Sequence, residues 1–227
     1  MKSNLKSLNI AIIPARAGSK RLPGKNKKIL GGVPLIVHSI KYAKQYGSII
    51  DKIIVSTDDT DIKAIALSEG VEVIDRPAEI AGDEASTLSA LQHVLANIKE
   101  DVENVFLLQP TNPLRPENLL RNAFKEFSKG KYESLMTVSR SYQKFGKIEN
   151  NQFIPFNYKM GQRSQDLEPL YFENGLLYII KASLIRQDKL LGENNFPFIV
   201  DHLFSKVDID EKEDFEYAEF LLNRTEN

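Results

Sequence analysis

A short apolar run, Leu8–Ile13, ends at Pro14 and passes straight into a loop that carries Gly18, Gly24 and four cations, Arg16, Lys20, Arg21 and Lys25. A brief apolar run bounded by a turn reads as a buried strand. In open α/β sheets, the loops after such strands are where ligands bind. Gly18 and Gly24 let the backbone turn closely around a ligand, and exposed N–H groups favour anions. Four positive charges in ten residues suit a triphosphate better than a single carboxylate. The whole chain carries a formal net charge of −1, so the cluster is local. The bland alternative is a solvated basic loop. The Walker pattern is excluded: five residues separate Gly18 from Gly24, Pro23 sits inside, and Asn26 follows Lys25. The dinucleotide Gly-x-Gly-x-x-Gly pattern is also absent.

The rest of the first 140 residues keeps one rhythm. Strands are expected at Lys52–Ser56, Val71–Ile74, Val105–Leu108 and Ser134–Val138. Between them, helices are expected from Pro34 to about Tyr46, over Thr60–Glu69 with Asp59 as cap, over Leu88–Ile98 capped by Ser86 or Thr87, and from Pro116 through Phe127. Such alternation implies parallel βαβ units and an α/β class. Arg140–Phe172 breaks the rhythm with mixed polar and aromatic residues and reads as an inserted hairpin or arm. Leu176–Ile180 and Lys206–Ile209 restore strand character, and Glu211–Leu222 closes as a helix.

The bulk composition narrows the class further. The length of 227 residues fits one α/β domain, and 42% hydrophobic with 27% charged residues argues against disorder. The near-neutral balance gives no nucleic-acid footprint. No apolar run approaches the roughly 20 residues that span a bilayer. Met1–Asn9 is too polar and short for a signal peptide. With no cysteine, thiolate catalysis, disulfides and Cys-ligated zinc are excluded.

Asp208 and Asp210 flank Ile209. On a strand, i and i+2 share a face, so Ile209 can enter the core while both carboxylates face a cleft. Two close carboxylates repel unless a cation or proton sits between them. Mg²⁺, with Mn²⁺ as a substitute, held through these carboxylates and substrate phosphates answers that requirement. The alternative is a solvated strand end before an acidic helix start. His38, His93 and His202 share no metal-like spacing and read as structural. No Gly-x-Ser-x-Gly elbow is present. The aromatics of the arm, Tyr142 to Tyr158, suit interface packing.

The segment Ala15-Arg16-Ala17-Gly18-Ser19-Lys20-Arg21-Leu22-Pro23-Gly24-Lys25-Asn26 resembles the signature of the acylneuraminate cytidylyltransferase family, the CMP-sugar synthetases of nine-carbon sialic-acid-like sugars. Further blocks resemble that family in its order: Ser56–Asp59, Arg76–Ala81, Asp83–Thr87, Leu108–Arg115, Asn174-Gly175 and Asp208–Asp210. The resemblance implies one domain over residues 1–227, a Rossmann-like open, mostly parallel sheet of nucleotidyltransferase type, with a dimerisation arm at about 140–172. It implies CTP and an acidic 2-keto-3-deoxy sugar as substrates, a homodimer whose arm reaches the partner's site, and a cytoplasmic enzyme with no nucleic-acid or membrane partner. It places Arg16, Gly18, Ser19, Lys20, Arg21, Lys25, Asn26, Arg76 and Ser86 at the nucleotide, Gln109 and Asn174 at the sugar, and the metal on Asp208 and Asp210. Catalysis would rest on Arg16, Lys25, Asp208 and Asp210. Residue type alone reads Gln109 as capping the Pro110–Pro113 turn, Arg76 as a surface arginine and Ser86 as a helix cap.

The chain departs from the family in one segment. Enzymes for N-acetylneuraminic acid often carry Arg-Pro-Asn-Gly before the late strand, and here Phe172-Glu173-Asn174-Gly175 stands. Glu173 would repel a sugar carboxylate but could bond hydroxyl or N–H groups. Arg163 and Lys144 become the expected carboxylate partners, and a variant acid such as legionaminic or pseudaminic acid the expected sugar. Three alternatives stand beside this reading: a cytidylyltransferase for the eight-carbon 3-deoxy-manno-octulosonic acid, a glycosyltransferase using Asp208-Ile209-Asp210 as its metal motif, and a nucleotide sensor without turnover.

Overall fold

The computed structural model describes residues 7–225; residues 1–6, most of the segment read above as too polar for a signal peptide, lie outside the described residues. Strand β1 (Leu8–Pro14) leads through two short strands, β2 (Ile29–Leu30) and β3 (Val33–Pro34), into α1 (Leu35–Lys44). Then follow β4 (Lys52–Thr57), α2 (Thr60–Ser68), β5 (Glu72–Asp75), α3 (Thr87–Ala96), β6 (Val102–Leu107), α4 (Leu119–Lys129) and β7 (Ser134–Ser141). A hairpin, β8 (Gly146–Glu149) and β9 (Gln152–Pro155), precedes β10 (Leu170–Lys181), α5 (Ala182–Arg186), β11 (Asn195–Ile199) and α6 (Lys212–Thr225).

Seven strands form one sheet in the order β11-β7-β10-β6-β1-β4-β5. All run parallel except β10, which is antiparallel to both β6 and β7. Side chains on β1 alternate between two cores. Ala11 and Ile13 join the helices α1, α2 and α4 on one face, while Ile10 and Ile12 join α3 and α5 on the other. Both faces are covered, which is why these strands read as continuous apolar runs. No described helix is long and apolar enough to cross a membrane.

Two expected caps are formed. Asp59 accepts the N–H groups of Asp61 and Ile62 at 2.8 and 3.1 Å, and Ser86 Oγ accepts that of Ser89 at 3.1 Å. Other boundaries differ from the sequence pattern. The helix expected at Pro116 starts at Leu119, because Asn118 adopts the left-handed region at φ 61°. Residues 206–209 form no strand: Leu203–Lys206 is a 3-10 turn, and the extended stretch after it gives one backbone N–H, that of Ile209, to Thr111 O. The arm is shorter than expected, since β7 and β10 pair through Ser141 and Leu170. Its tip is a two-residue turn with Asn150 and Asn151 at φ 49° and 61°, the geometry that twisted hairpins favour.

Candidate active site

Strand order reverses at β1: β4 and β5 build outward on one side, and β6 returns on the other. The carboxyl edge beside β1 is therefore a topological switch point, where open α/β sheets bind ligands. There the chain leaves a cleft of about 680 Å³. Its wall holds Arg16, Gly18, Ser19, Lys20, Arg21, Lys25 and Asn26 from the loop after β1, with Arg76, Ser86, Gln109 and Asp210.

A satellite core sets the geometry. Leu22 of the loop packs with Val207 and Ile209 and with Ala218 and Leu221 of α6. Burying each large apolar side chain contributes roughly 1.5–3 kcal/mol. Ile209 thus enters the core as its spacing suggested, leaving Asp208 and Asp210 outside it. Asn112, fully buried, stitches this segment to the sheet: its Nδ2 donates to Val207 O at 2.8 Å and Asn174 O at 3.1 Å. Gly24, at φ +65°, makes the left-handed turn into Lys25–Lys27. At Gly18 a Cβ would meet nothing within 4 Å, so its lack of a side chain keeps the cleft wall open rather than making a strained turn.

Every cation of the loop has an acid partner. Lys20 Nζ lies 2.7 Å and Arg16 Nη2 3.3 Å from the Asp83 carboxylate. Arg21 reaches Asp210 at 2.5 Å and Glu211 at 3.4 Å. Lys25, with its side chain only 10% exposed, donates to Asp210 at 2.9 Å and to Ile209 O at 2.6 Å. Arg76 is buried and donates to Ser56 Oγ and Ser56 O, not to an acid. Burial, reinforced by nearby Arg16 and opposed by Asp58, lowers its pKa. It is thus no surface arginine. Asn26 Nδ2 donates to Arg16 O at 3.2 Å and ties the loop's ends together, and Ser86 both caps α3 and lines the cleft.

The two aspartates differ in charge environment. Burial raises the Asp208 carboxyl, and the negative charge of Asp210 adds to this against a hydrogen bond from Thr111. At Asp210 burial acts the same way, but Lys25 and Arg21 outweigh it and the net shift is downward. Two repelling carboxylates suit a divalent cation, and Mg²⁺ needs no more than one or two when phosphates complete its shell. Among the described residues no group of three or more potential ligands forms. Asp210 lines the cleft whereas Asp208 is not among its lining residues, so these two donors suit Mg²⁺ only where substrate phosphates supply most of its shell.

Four residues expected at the sugar do not line this cleft. Lys144 is engaged within the arm, donating to Gln162 O and lying 5.3 Å from the Tyr158 ring centre. Arg163 pairs with Asp166 at 2.7 Å, because the turn at 164–166 brings that acid beneath it. Asn174 is buried, its amide spent on Ser139 Oγ and the Leu176 N–H. Glu173 is exposed, is not among the cleft's lining residues, and accepts the Tyr178 hydroxyl; burial first, then Glu173 and Asp208, raises the pKa of that tyrosine. Gly175, at φ +71°, has room for no side chain, since a Cβ would sit 2.6 Å from Asn112 Oδ1. Gly175→Ala is expected to lower unfolding stability by about 1–3 kcal/mol, read as a shifted urea midpoint.

Sequence reasoning assigned no role to Asp58, Asp83 or Asn112. Asp58 Oδ1 accepts the Ala17 N–H at 2.8 Å and anchors the loop. The available signal was charge balance: acids in the loops after neighbouring strands, opposite a cation cluster.

A sequence model of the family described as cytidylyltransferase matches residues 10–226. The chain is 35% identical over 217 residues to an N-acylneuraminate cytidylyltransferase of Escherichia coli O18:K1:H7, covering 92% of this chain and 51% of that protein. It is 34% identical over 233 residues to a CMP-N,N'-diacetyllegionaminic acid synthase of Legionella pneumophila, covering 94% of this chain and 95% of that one. It thus spans about half the length of the first relative and nearly all of the second. A solved CMP:2-keto-3-deoxy-manno-octonic acid synthetase complexed with CTP matches 96% of the chain at TM-score 0.75 and 18% identity, which shows a shared fold.

Proposed function

Because this chain belongs to the cytidylyltransferase family, we propose that it moves CMP from CTP to an acidic 2-keto-3-deoxy sugar of the nonulosonic type and releases pyrophosphate. One observation carries the reading: four cations of a single loop meet Arg76, Gln109 and Asp210 around one cleft at the switch point of the sheet. The sugar's anomeric oxygen attacks the α-phosphorus as the bond to the β-phosphate oxygen breaks and pyrophosphate leaves. Such transfer asks the protein for positioning and charge neutralisation. Arg16, Lys20, Arg21 and Lys25 gather the triphosphate and stabilise the leaving group. Arg76, Asn26 and Ser86 hold the nucleotide, and Gln109 offers an amide to the sugar. Asp208 and Asp210 would hold Mg²⁺, which when bound neutralises phosphate charge.

The sugar is proposed to be a legionaminic- or pseudaminic-type acid in preference to N-acetylneuraminic acid. Phe172-Glu173 in place of the Arg-Pro pattern supports this, since Glu173 is an exposed acid that would repel a sugar carboxylate but could bond hydroxyl or N–H groups. Pyrophosphate release from four nucleotides against these three acids and the eight-carbon acid tests both parts. CTP with a nonulosonic acid should give the highest kcat/KM, with N-acetylneuraminic acid behind the other two.

The arm supports a dimer. Tyr142, Ile148, Phe156 and Met160 are all exposed, Ile148 and Met160 at 78%, and such surface marks an interaction site. Lys144 and Arg163 lie outside their own chain's cleft, so they would serve the partner's. Sedimentation should give twice the 25.7 kDa chain mass. Deleting Gln143–Lys159 should give a monomer with at least about tenfold higher KM for the sugar acid, the loss of one charge-assisted contact.

A further inference from the structure

The Gly82–Thr87 segment faces the phosphate loop across the cleft, and its Asp83 carboxylate bonds both cations of the loop's first half. Gly82 O accepts Arg16 Nη1 at 2.5 Å beside it. The two walls of the cleft are thus joined through the groups a phosphate chain would need. We propose that Asp83 is an internal competitor: it holds Arg16 and Lys20 when no nucleotide is bound, yields them to the triphosphate, and takes them back as pyrophosphate leaves. This deepens the cytidylyltransferase reading and rests on it for the identity of the ligand.

Three observations carry the proposal. Asp83 is 39% exposed and Lys20 77%, so the pair can open and the carboxylate can return to water with little packing lost. The Lys20 hydrogen bond, opposed by burial and helped by the charges of Lys20 and Arg16, holds the Asp83 carboxyl below its usual range. Asp210, which lines the cleft with Asp83 and Glu84, differs in kind. Asp210, two residues from Asp208, can pass its charge to a divalent cation and free Lys25 and Arg21, whereas the Asp83 carboxylate is engaged with Arg16 and Lys20 and sits on the opposite wall. Asp83 therefore opposes every ligand that must use Arg16 and Lys20, the product as much as the substrate. Such a residue weakens substrate binding and speeds product release.

The test is calorimetric titration of inorganic tripolyphosphate and of pyrophosphate into the whole protein, without sugar or nucleotide, for wild type, Asp83→Asn and Asp83→Glu. Exposed and half-exposed ion pairs are individually weak. Asp83→Asn should bind both anions about three- to tenfold more tightly, and Asp83→Glu should stay near wild type. In a Lys20→Gln background, the gain from Asp83→Asn should shrink, which a merely structural role for Asp83 would not produce. Unchanged or weaker anion binding by Asp83→Asn at unchanged melting temperature overturns the proposal. So does a full gain that persists in the Lys20→Gln background, or no binding of tripolyphosphate to any variant. Pyrophosphate release from CTP and a sugar acid by wild type is scored separately, so failure of this competitor role and failure of the functional reading are distinguishable.

Discussion

Asp210→Asn is expected to lower kcat by about a hundredfold or more while CTP binding weakens far less. A divalent cation on a reacting phosphate contributes several kcal/mol, mostly to charge that moves in the transition state. Asp210 is also the hinge of the cleft's charge balance, with Lys25 on one oxygen at 2.9 Å and Arg21 on the other at 2.5 Å. An amide keeps one acceptor but turns N–H donors toward a cation. Lys25 keeps its bond to Ile209 O and the Ile209 packing is untouched, so the fold should survive. Turnover should require Mg²⁺ or Mn²⁺ in the wild type. Initial rates with and without EDTA, beside CTP affinity and melting curves for the variant, check this; EDTA-insensitive wild-type turnover would remove the metal from the account.

Arg16→Ala is the second large effect. A charge-assisted phosphate contact is worth about 1.5–3 kcal/mol, or about ten- to hundredfold in kcat/KM. Arg16 sits at the head of the loop, its backbone carbonyl held by Asn26 and its guanidinium by Asp83 and Gly82. None of these bonds ties it to the buried cores, so the melting temperature should hold. Steady-state kinetics with varied CTP measures the effect, and full activity with full CTP affinity would remove the triphosphate role of the loop.

Much of this was legible because local chemistry and tertiary context agree. The β1 strand ends where Pro14 says, and the cations follow it into the cleft. Asp59 and Ser86 cap the helices that their positions suggested. Ile209 enters the core between its aspartates even though the segment is not a strand. The alternation was real, but no neighbouring strand pairs with it, and pattern cannot supply a partner. The antiparallel insertion of β10 between β6 and β7 was hidden for the same reason. Strand order depends on contacts distant in sequence. β11, Asn195–Ile199, to which the sequence pattern assigns no element, carries Pro197 at an edge of the sheet, where a missing N–H is tolerated. The acids Asp58 and Asp83 stood in plain view, yet only the fold brings Asp58 across 41 residues, and Asp83 from still further along the chain, to the loop. Asn112 is hidden more deeply, since a buried amide that joins three segments has no local pattern at all.

The most direct measurement of the central claim is ³¹P NMR of the wild-type protein with CTP, Mg²⁺ and a nonulosonic acid. The account predicts that a phosphodiester resonance of a CMP-sugar and the resonance of pyrophosphate grow in equal amounts, and that neither forms without the sugar. Loss of CTP to CDP and orthophosphate, or pyrophosphate formed with CMP but no sugar phosphodiester, would contradict it.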